Sequence, residues 1–103
     1  MRLEFYPSEK LKEEILSIIS KYLDLKKYDV FFFGSRVEGK GDKHSDIDIG
    51  IEGLKEISGG IMAQIQEDID NLLILYKIEI VDFKKASLDF KKVALQYTEP
   101  ILR

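Results

Sequence analysis

Residues 46–51 read Asp-Ile-Asp-Ile-Gly-Ile. A strict alternation of this kind suits an extended strand, because successive side chains leave a strand on opposite faces. Ile47, Ile49 and Ile51 then form an apolar face that needs cover, and Asp46, Asp48 and Gly50 form the other. The two aspartates point the same way, with Cα atoms roughly 6.6 Å apart along the strand. Carboxylates that close can share divalent cations, and two such ions about 3.5–4 Å apart suit in-line displacement at phosphorus.

The rest of the chain supplies elements to cover such a strand. After Pro7-Ser8, apolar residues fall at Leu11, Ile15, Ile18, Ile19, Tyr22 and Leu23, which is helical spacing with Ser8 placed to cap the first turn. Tyr28–Phe33 reads as a strand whose continuous apolar run predicts cover on both faces. A second helix is predicted over about 60–75, with Ile61, Ile65, Ile69, Leu72 and Leu73 as its buried stripe. A third strand follows over 77–83. A last helix begins after Ser87, with Phe90, Val93, Ala94 and Tyr97 inward and Pro100 bounding it. The order α-β-β-α-β-α is that of an α+β, mixed α/β, domain with a small mixed sheet of about three strands. At 103 residues the expectation is one domain, 1–103, with one modest core.

Composition narrows the chemistry. With 45% hydrophobic and 34% charged residues the chain has the balance of an ordinary globular protein. There are no cysteines, so disulfides and thiolate metal sites are excluded. A metal must sit on carboxylates, backbone oxygens or the single His44, a donor set suited to the hard ions Mg2+ or Mn2+. The formal net charge of −3 offers no overall basic surface for a long nucleic acid. No apolar run has the length of a membrane span, and the first residues lack the apolar stretch of a secretion signal. A cytoplasmic location is therefore expected.

A second feature lies just before the aspartates. The Tyr28–Phe33 strand stops at Gly34-Ser35, followed by Arg36 in a loop that also holds Gly39 and Gly41. Glycine lets a backbone turn sharply and approach a ligand closely. Successive peptide N–H groups beside a hydroxyl can cradle phosphate oxygens. Alone, a Gly-Ser turn or an Asp-x-Asp strand is commonplace. Here ten residues separate Gly34-Ser35 from Asp46-Ile47-Asp48, with strands on both sides.

The residues Gly34-Ser35-Arg36, Gly39 and Ser45-Asp46-Ile47-Asp48 resemble the signature of the DNA polymerase beta superfamily of nucleotidyltransferases, and most closely its minimal nucleotidyltransferase group. The resemblance covers most of the chain and implies a palm-like fold. That family carries a third acid on the strand after the second helix, commonly Asp. The matching stretch is Lys77-Ile78-Glu79-Ile80-Val81-Asp82-Phe83, with Glu79 at the position of the usual Asp. Strand parity puts Ile78, Ile80 and Asp82 on one face and Lys77, Glu79 and Val81 on the other. If the isoleucines meet the helices, Glu79 faces the aspartates and Asp82 reads as a turn or capping residue. A Glu carboxylate reaches about one bond further than that of Asp, which bears on rate more than on nucleotide binding, since in-line chemistry feels shifts of about 1 Å.

The resemblance further implies transfer of a nucleoside monophosphate from an NTP, with ATP the expected donor, to a hydroxyl. Asp46, Asp48 and Glu79 are the implied metal ligands and catalytic residues, Mg2+ or Mn2+ the implied cofactor, and Gly34, Ser35 and Arg36 the implied phosphate-binding residues. Lys40, Lys43 and His44 read as solvated loop residues. Relatives that modify antibiotics or extend polymers carry further domains for the acceptor, for which this length leaves no room. The acceptor is then held by a partner or by another copy of this chain, a homo-oligomer. Minimal members are typically paired with a small helical protein of the HEPN type as antitoxin to toxin, which implies such a partner here. A different class of reading stands beside this one: a binding module that neutralises its partner by contact, with a weak or inactive site.

Overall fold

The computed structural model describes residues 3, 5–38 and 46–102, the side chains of Ser35 and Glu38 excepted. The elements run α1 (Ser8–Ser20), a 3-10 turn (Leu25–Lys27), β1 (Tyr28–Phe33), α2 (Ser35–Glu38), β2 (Ile47–Gly53), α3 (Gly59–Asp70), β3 (Ile78–Asp82), α4 (Leu88–Ala94) and β4 (Thr98–Leu102). The sheet order is β3-β2-β1-β4. β1 lies antiparallel to both β2 and β4, and β2 runs parallel to β3. The parallel pair needs a crossover, which α3 supplies. The fold is mixed α/β, as the sequence predicts.

One face of the sheet is covered by α1 and α3. Leu11, Ile15, Ile18 and Ile19 of α1, with Ile65 and Ile69 of α3, pack with Val30, Phe32, Ile47, Ile49, Ile51 and Ile78. Each fully buried side chain of this size contributes about 1.5–3 kcal/mol relative to exposure. The opposite face carries a smaller aromatic cluster of Phe31, Phe33 and Phe83 with Ala94 of α4. β1 is thus covered on both sides, the physical reason for its unbroken run Val30-Phe31-Phe32-Phe33. Gly50 makes room for the cluster on β2. A Cβ there would come within 2.5 Å of the Phe31 ring and 2.7 Å of Phe83, whose rings meet edge to face at 4.9 Å.

Five points differ from the sequence expectation. The sheet has four strands rather than about three. Pro100 does not merely bound the last helix but lies within β4, where an edge strand tolerates a missing N–H. α3 ends at Asp70 and not near 75: Leu72 still packs against the core, whereas Leu73 is fully exposed. In the short α4 only Ala94 is buried, and Val93, like Tyr97 beyond the helix end, faces outward, because the sheet's own phenylalanines already fill that face. Finally, α1 starts at Ser8 with Pro7 in the capping position and no side-chain cap. Among the described residues no helix is long and apolar enough to cross a membrane.

Candidate active site

The end of β1 and the starts of β2 and β3 converge at one corner of the sheet. Pairing of β2 with β3 sets Asp48 directly opposite Glu79. Ile47 and Ile49 on β2, and Ile78 and Ile80 on β3, belong to the helix-covered core. Parity therefore turns Asp48 and Glu79 to the opposite face, which α4 covers only in part. Asp46, one residue before β2, is exposed and Asp48 is half-buried. Burial first, and then the charges of Glu79 and Asp46, push the Asp48 carboxyl above its ordinary pKa. Glu79 lies in an ion pair with Lys77 at 3.3 Å, with both side chains about half exposed or more.

Gly34 closes the corner from β1. Its φ is +92°, a conformation that L side chains rarely adopt and glycine takes without penalty. A Cβ at Gly34 would stand 2.8 Å from Asp48 Oδ2. The glycine both reverses the chain and lets the backbone touch the carboxylate. The single turn of α2 starts at the next residue, and Val37 N–H donates to Gly34 O at 3.1 Å. The expected phosphate-binding Ser35 keeps its place at the start of α2, but its side chain lies outside the described residues, as do Gly39, Lys40, Gly41, Lys43, His44 and Ser45. Arg36 is half-buried with its guanidinium over the Tyr76 ring, 4.6 Å from the centroid, a seated side chain rather than a solvated loop arginine.

Asp82 is drawn away from the corner. It is 6% exposed, accepting from Ile57 N–H at 2.8 Å and Lys84 N–H at 3.0 Å. This is the capping role expected for it, and it leaves Glu79 as the acid facing Asp48. Two contacts of the site go beyond the sequence reading. Strand parity puts Lys77 on the face of Glu79, two residues before it, but does not foresee their ion pair. Nor does it foresee Gln66 of α3, whose side-chain amide grips β3 beside Glu79, because its contacts are long-range.

The sequence model of the family described as "Polymerase beta, Nucleotidyltransferase" matches residues 13–103. The chain belongs to this family. No curated protein matches it. Among solved structures, a chain of a toxin-antitoxin complex crystallised with AMP-PNP superposes with TM-score 0.71 at 18% identity, covering 87% of this chain and 71% of that one. A chain from the tri-AMPylated Shewanella oneidensis HEPN toxin in complex with MNT antitoxin gives 0.68 at 16% identity, covering 90% and 71%. The toxin-antitoxin pair MntA-HepT gives 0.59 at 15% identity, covering 87% and 68%. At such identities the likeness is one of fold: a nucleotidyltransferase fold with four strands.

A nucleotidyltransferase of this family implies a divalent cation. The donor chemistry here fits one. Asp46, Asp48 and Glu79 offer hard oxygen ligands on one face, and the proton affinity of Asp48 is raised by burial first and then by the charges of Glu79 and Asp46. Their placement is not closed around an ion, however. Among the described residues no three acidic or histidine side chains are grouped tightly enough to hold a metal, and Glu79 pairs with Lys77. At this exposure that pair holds Glu79 by about 1 kcal/mol or less.

Proposed function

We propose that this nucleotidyltransferase moves AMP from ATP onto a hydroxyl of a HEPN-type partner protein, acting as the antitoxin of a toxin-antitoxin pair. The observation that carries the reading is the corner itself: Asp48 faces Glu79 across a parallel pair while Gly34 brings the backbone against Asp48 Oδ2. The neighbours crystallised with AMP-PNP and with an AMPylated HEPN toxin support the choice of nucleotide and partner.

In this reading Gly34 and the backbone opening α2 at Ser35 hold the outer phosphates of ATP, and Arg36 adds positive charge from its seat on Tyr76. Asp46, Asp48 and Glu79 would hold Mg2+ or Mn2+, which when bound supplies charge neutralisation for the triphosphate and a lowered pKa for the acceptor hydroxyl. The acceptor oxygen attacks the α-phosphorus in line, the bond to the β-phosphate oxygen breaks, and pyrophosphate leaves. Glu79 receives the hydroxyl proton. Half-burial of Asp48 beside the aromatic cluster thins the water around the reacting phosphate, which strengthens electrostatic contacts there.

A second reading is favoured by one observation, the engagement of Glu79 with Lys77 and not with the aspartates. Here the chain neutralises its partner by contact and transfers nothing. Calorimetric titration of ATP and GTP with Mg2+ into the wild type and an Asp46→Asn/Asp48→Asn variant, followed by transfer assays with labelled ATP and a HEPN partner, separates the two. Binding lost in the variant together with label on the partner supports the transferase. A wild type that binds the partner but leaves it unlabelled sinks the transferase and leaves the contact antitoxin.

A further inference from the structure

We propose that Gln66 is a positioning residue for Glu79. The inference rests on the transferase reading, in which Glu79 takes part in the chemistry. β3 is an edge strand, so one side of it presents backbone groups that no neighbouring strand can pair. The two such groups that flank Glu79 are both taken by one side chain. Gln66 Nε2 donates to Ile78 O at 2.8 Å, and Ile80 N–H donates to Gln66 Oε1 at 3.1 Å. A carboxamide carries a donor and an acceptor as a peptide group does, so Gln66 stands in for one residue of a missing strand at the position of Glu79.

The orientation of that amide is fixed by its surroundings. Nε2 also donates to Asp70 Oδ1, one turn along α3, at 2.9 Å. A carboxylate only accepts, so the NH2 end must lie toward Asp70, and Oε1 is left for the Ile80 amide. The helix beneath is anchored by Ile65 and Ile69, buried on either side of Gln66 in sequence. Few groups restrain the Glu79 side chain itself, which is 51% exposed and touched by the exposed head of Lys77. Where its carboxylate can reach is therefore set by its backbone. That backbone is held by β2 on one side and by Gln66 on the other. Asp48, on the central strand β2, has no such dependence. The alternative role for Gln66 is simple protection of the sheet edge against pairing with another chain.

The test uses Gln66→Met, which keeps length and loses both hydrogen bonds, with Gln66→Glu as a second variant that keeps the acceptor for Ile80. In the metal-free protein, amide hydrogen exchange at Ile80 is expected to quicken by about tenfold in Gln66→Met and to stay near wild type in Gln66→Glu. With the partner, kcat is expected to fall by about 10- to 100-fold while KM for ATP stays within about twofold, since the aspartates and Gly34 are untouched. Faster exchange with unchanged kcat overturns positioning and leaves edge protection. Unchanged exchange at Ile80 overturns the clamp itself. If Gln66→Met does not fold, Gln66→Ala, which also loses both hydrogen bonds, takes its place: a kcat equal to wild type overturns the proposal and a selective fall in kcat supports it. A wild type inert toward the partner is a separate outcome, which removes the transferase reading and this inference with it.

Discussion

Replacing Gly34 by alanine puts two separable costs on one atom. The first is conformational: at φ +92° an L side chain meets its own backbone, at about 1–2 kcal/mol. The second is a collision. The new Cβ lies 2.8 Å from Asp48 Oδ2, short of the 3.4 Å at which ordinary contact begins, so the carboxylate must withdraw by roughly half an ångström. Because Asp48 is only half-buried, its side chain can rotate away, and the collision should add no more than about 1 kcal/mol. The sum is about 2 kcal/mol. For a domain of this size that corresponds to a fall in Tm of about 10 °C by calorimetry or circular dichroism.

The two costs come apart in a double-mutant cycle. In an Asp48→Ala background the collision partner is gone, so Gly34→Ala should cost only its conformational part, with a coupling of about 0.5–1 kcal/mol. Nucleotide titration follows the same logic: Gly34→Ala with Asp48 present should weaken MgATP binding or slow transfer by at least about tenfold, because the displaced carboxylate is one of the implied ligands. A Gly34→Ala protein melting within about 1 °C of wild type would refute the backbone argument. An equal cost in both backgrounds would refute the contact with Asp48.

Asp48→Asn should melt higher than wild type near neutral pH. Folding raises the proton affinity of Asp48 through burial and through Glu79 and Asp46, so this group favours the fold below its unfolded pKa of about 3.9, loses that contribution as pH rises through the raised folded value, and costs stability above both; the gap between variant and wild type should close near about pH 3.5. Asp82→Ala should cost about 1–3 kcal/mol by stranding the Ile57 and Lys84 amides while MgATP binding persists, whereas Glu79→Gln should leave Tm within about 2 °C and abolish transfer; the reverse pattern would exchange the roles of the two acids. Gly50→Ala should destabilise by about 1–3 kcal/mol in thermal melts, because its Cβ would enter the Phe31 and Phe83 rings. Lys77→Met should leave stability unchanged within about 1 kcal/mol and raise transfer or metal affinity, since Glu79 is freed; a fall in both would show that the pair with Lys77 belongs to the working site.

The parts of this molecule written in local pattern were legible. β1 occupies Tyr28–Phe33 as its apolar run predicts, and the alternation from Asp46 to Ile51 places three isoleucines in the core and two aspartates off it. α1 follows its 3.6-residue stripe, because one face of a long helix is all that it buries. β4 was illegible for the opposite reason. Thr98-Glu99-Pro100-Ile101-Leu102 has no strand signal of its own and exists through pairing with β1, including a register shift at Val30/Phe31. The exposure of Val93 in α4, and of Tyr97 after it, depends on how much of the face the phenylalanines already fill, a quantity of the folded state alone. At the site, spacing brought Gly34 and the aspartates together in outline. The approach of Gly34 to Asp48, the seating of Arg36 on Tyr76 and the Gln66 amide on β3 are tertiary facts with no local signature.

Which acid of β3 meets Asp48 follows from packing rather than from acid type. Ile78 is 2% exposed and Ile80 packs against the same core. A one-residue slip of β3 would turn both to the open face and carry Glu79 into the core among isoleucines. Losing the two apolar side chains alone would cost about 3–6 kcal/mol, comparable with the whole stability of a small domain at about 5–15 kcal/mol, before any charge is buried. Asp82 cannot reach the corner by that route, and it is already committed to the Ile57 and Lys84 amides. The two isoleucines thus select Glu79 as the carboxylate opposite Asp48, and the longer side chain at that position is what the chemistry of this corner has to work with.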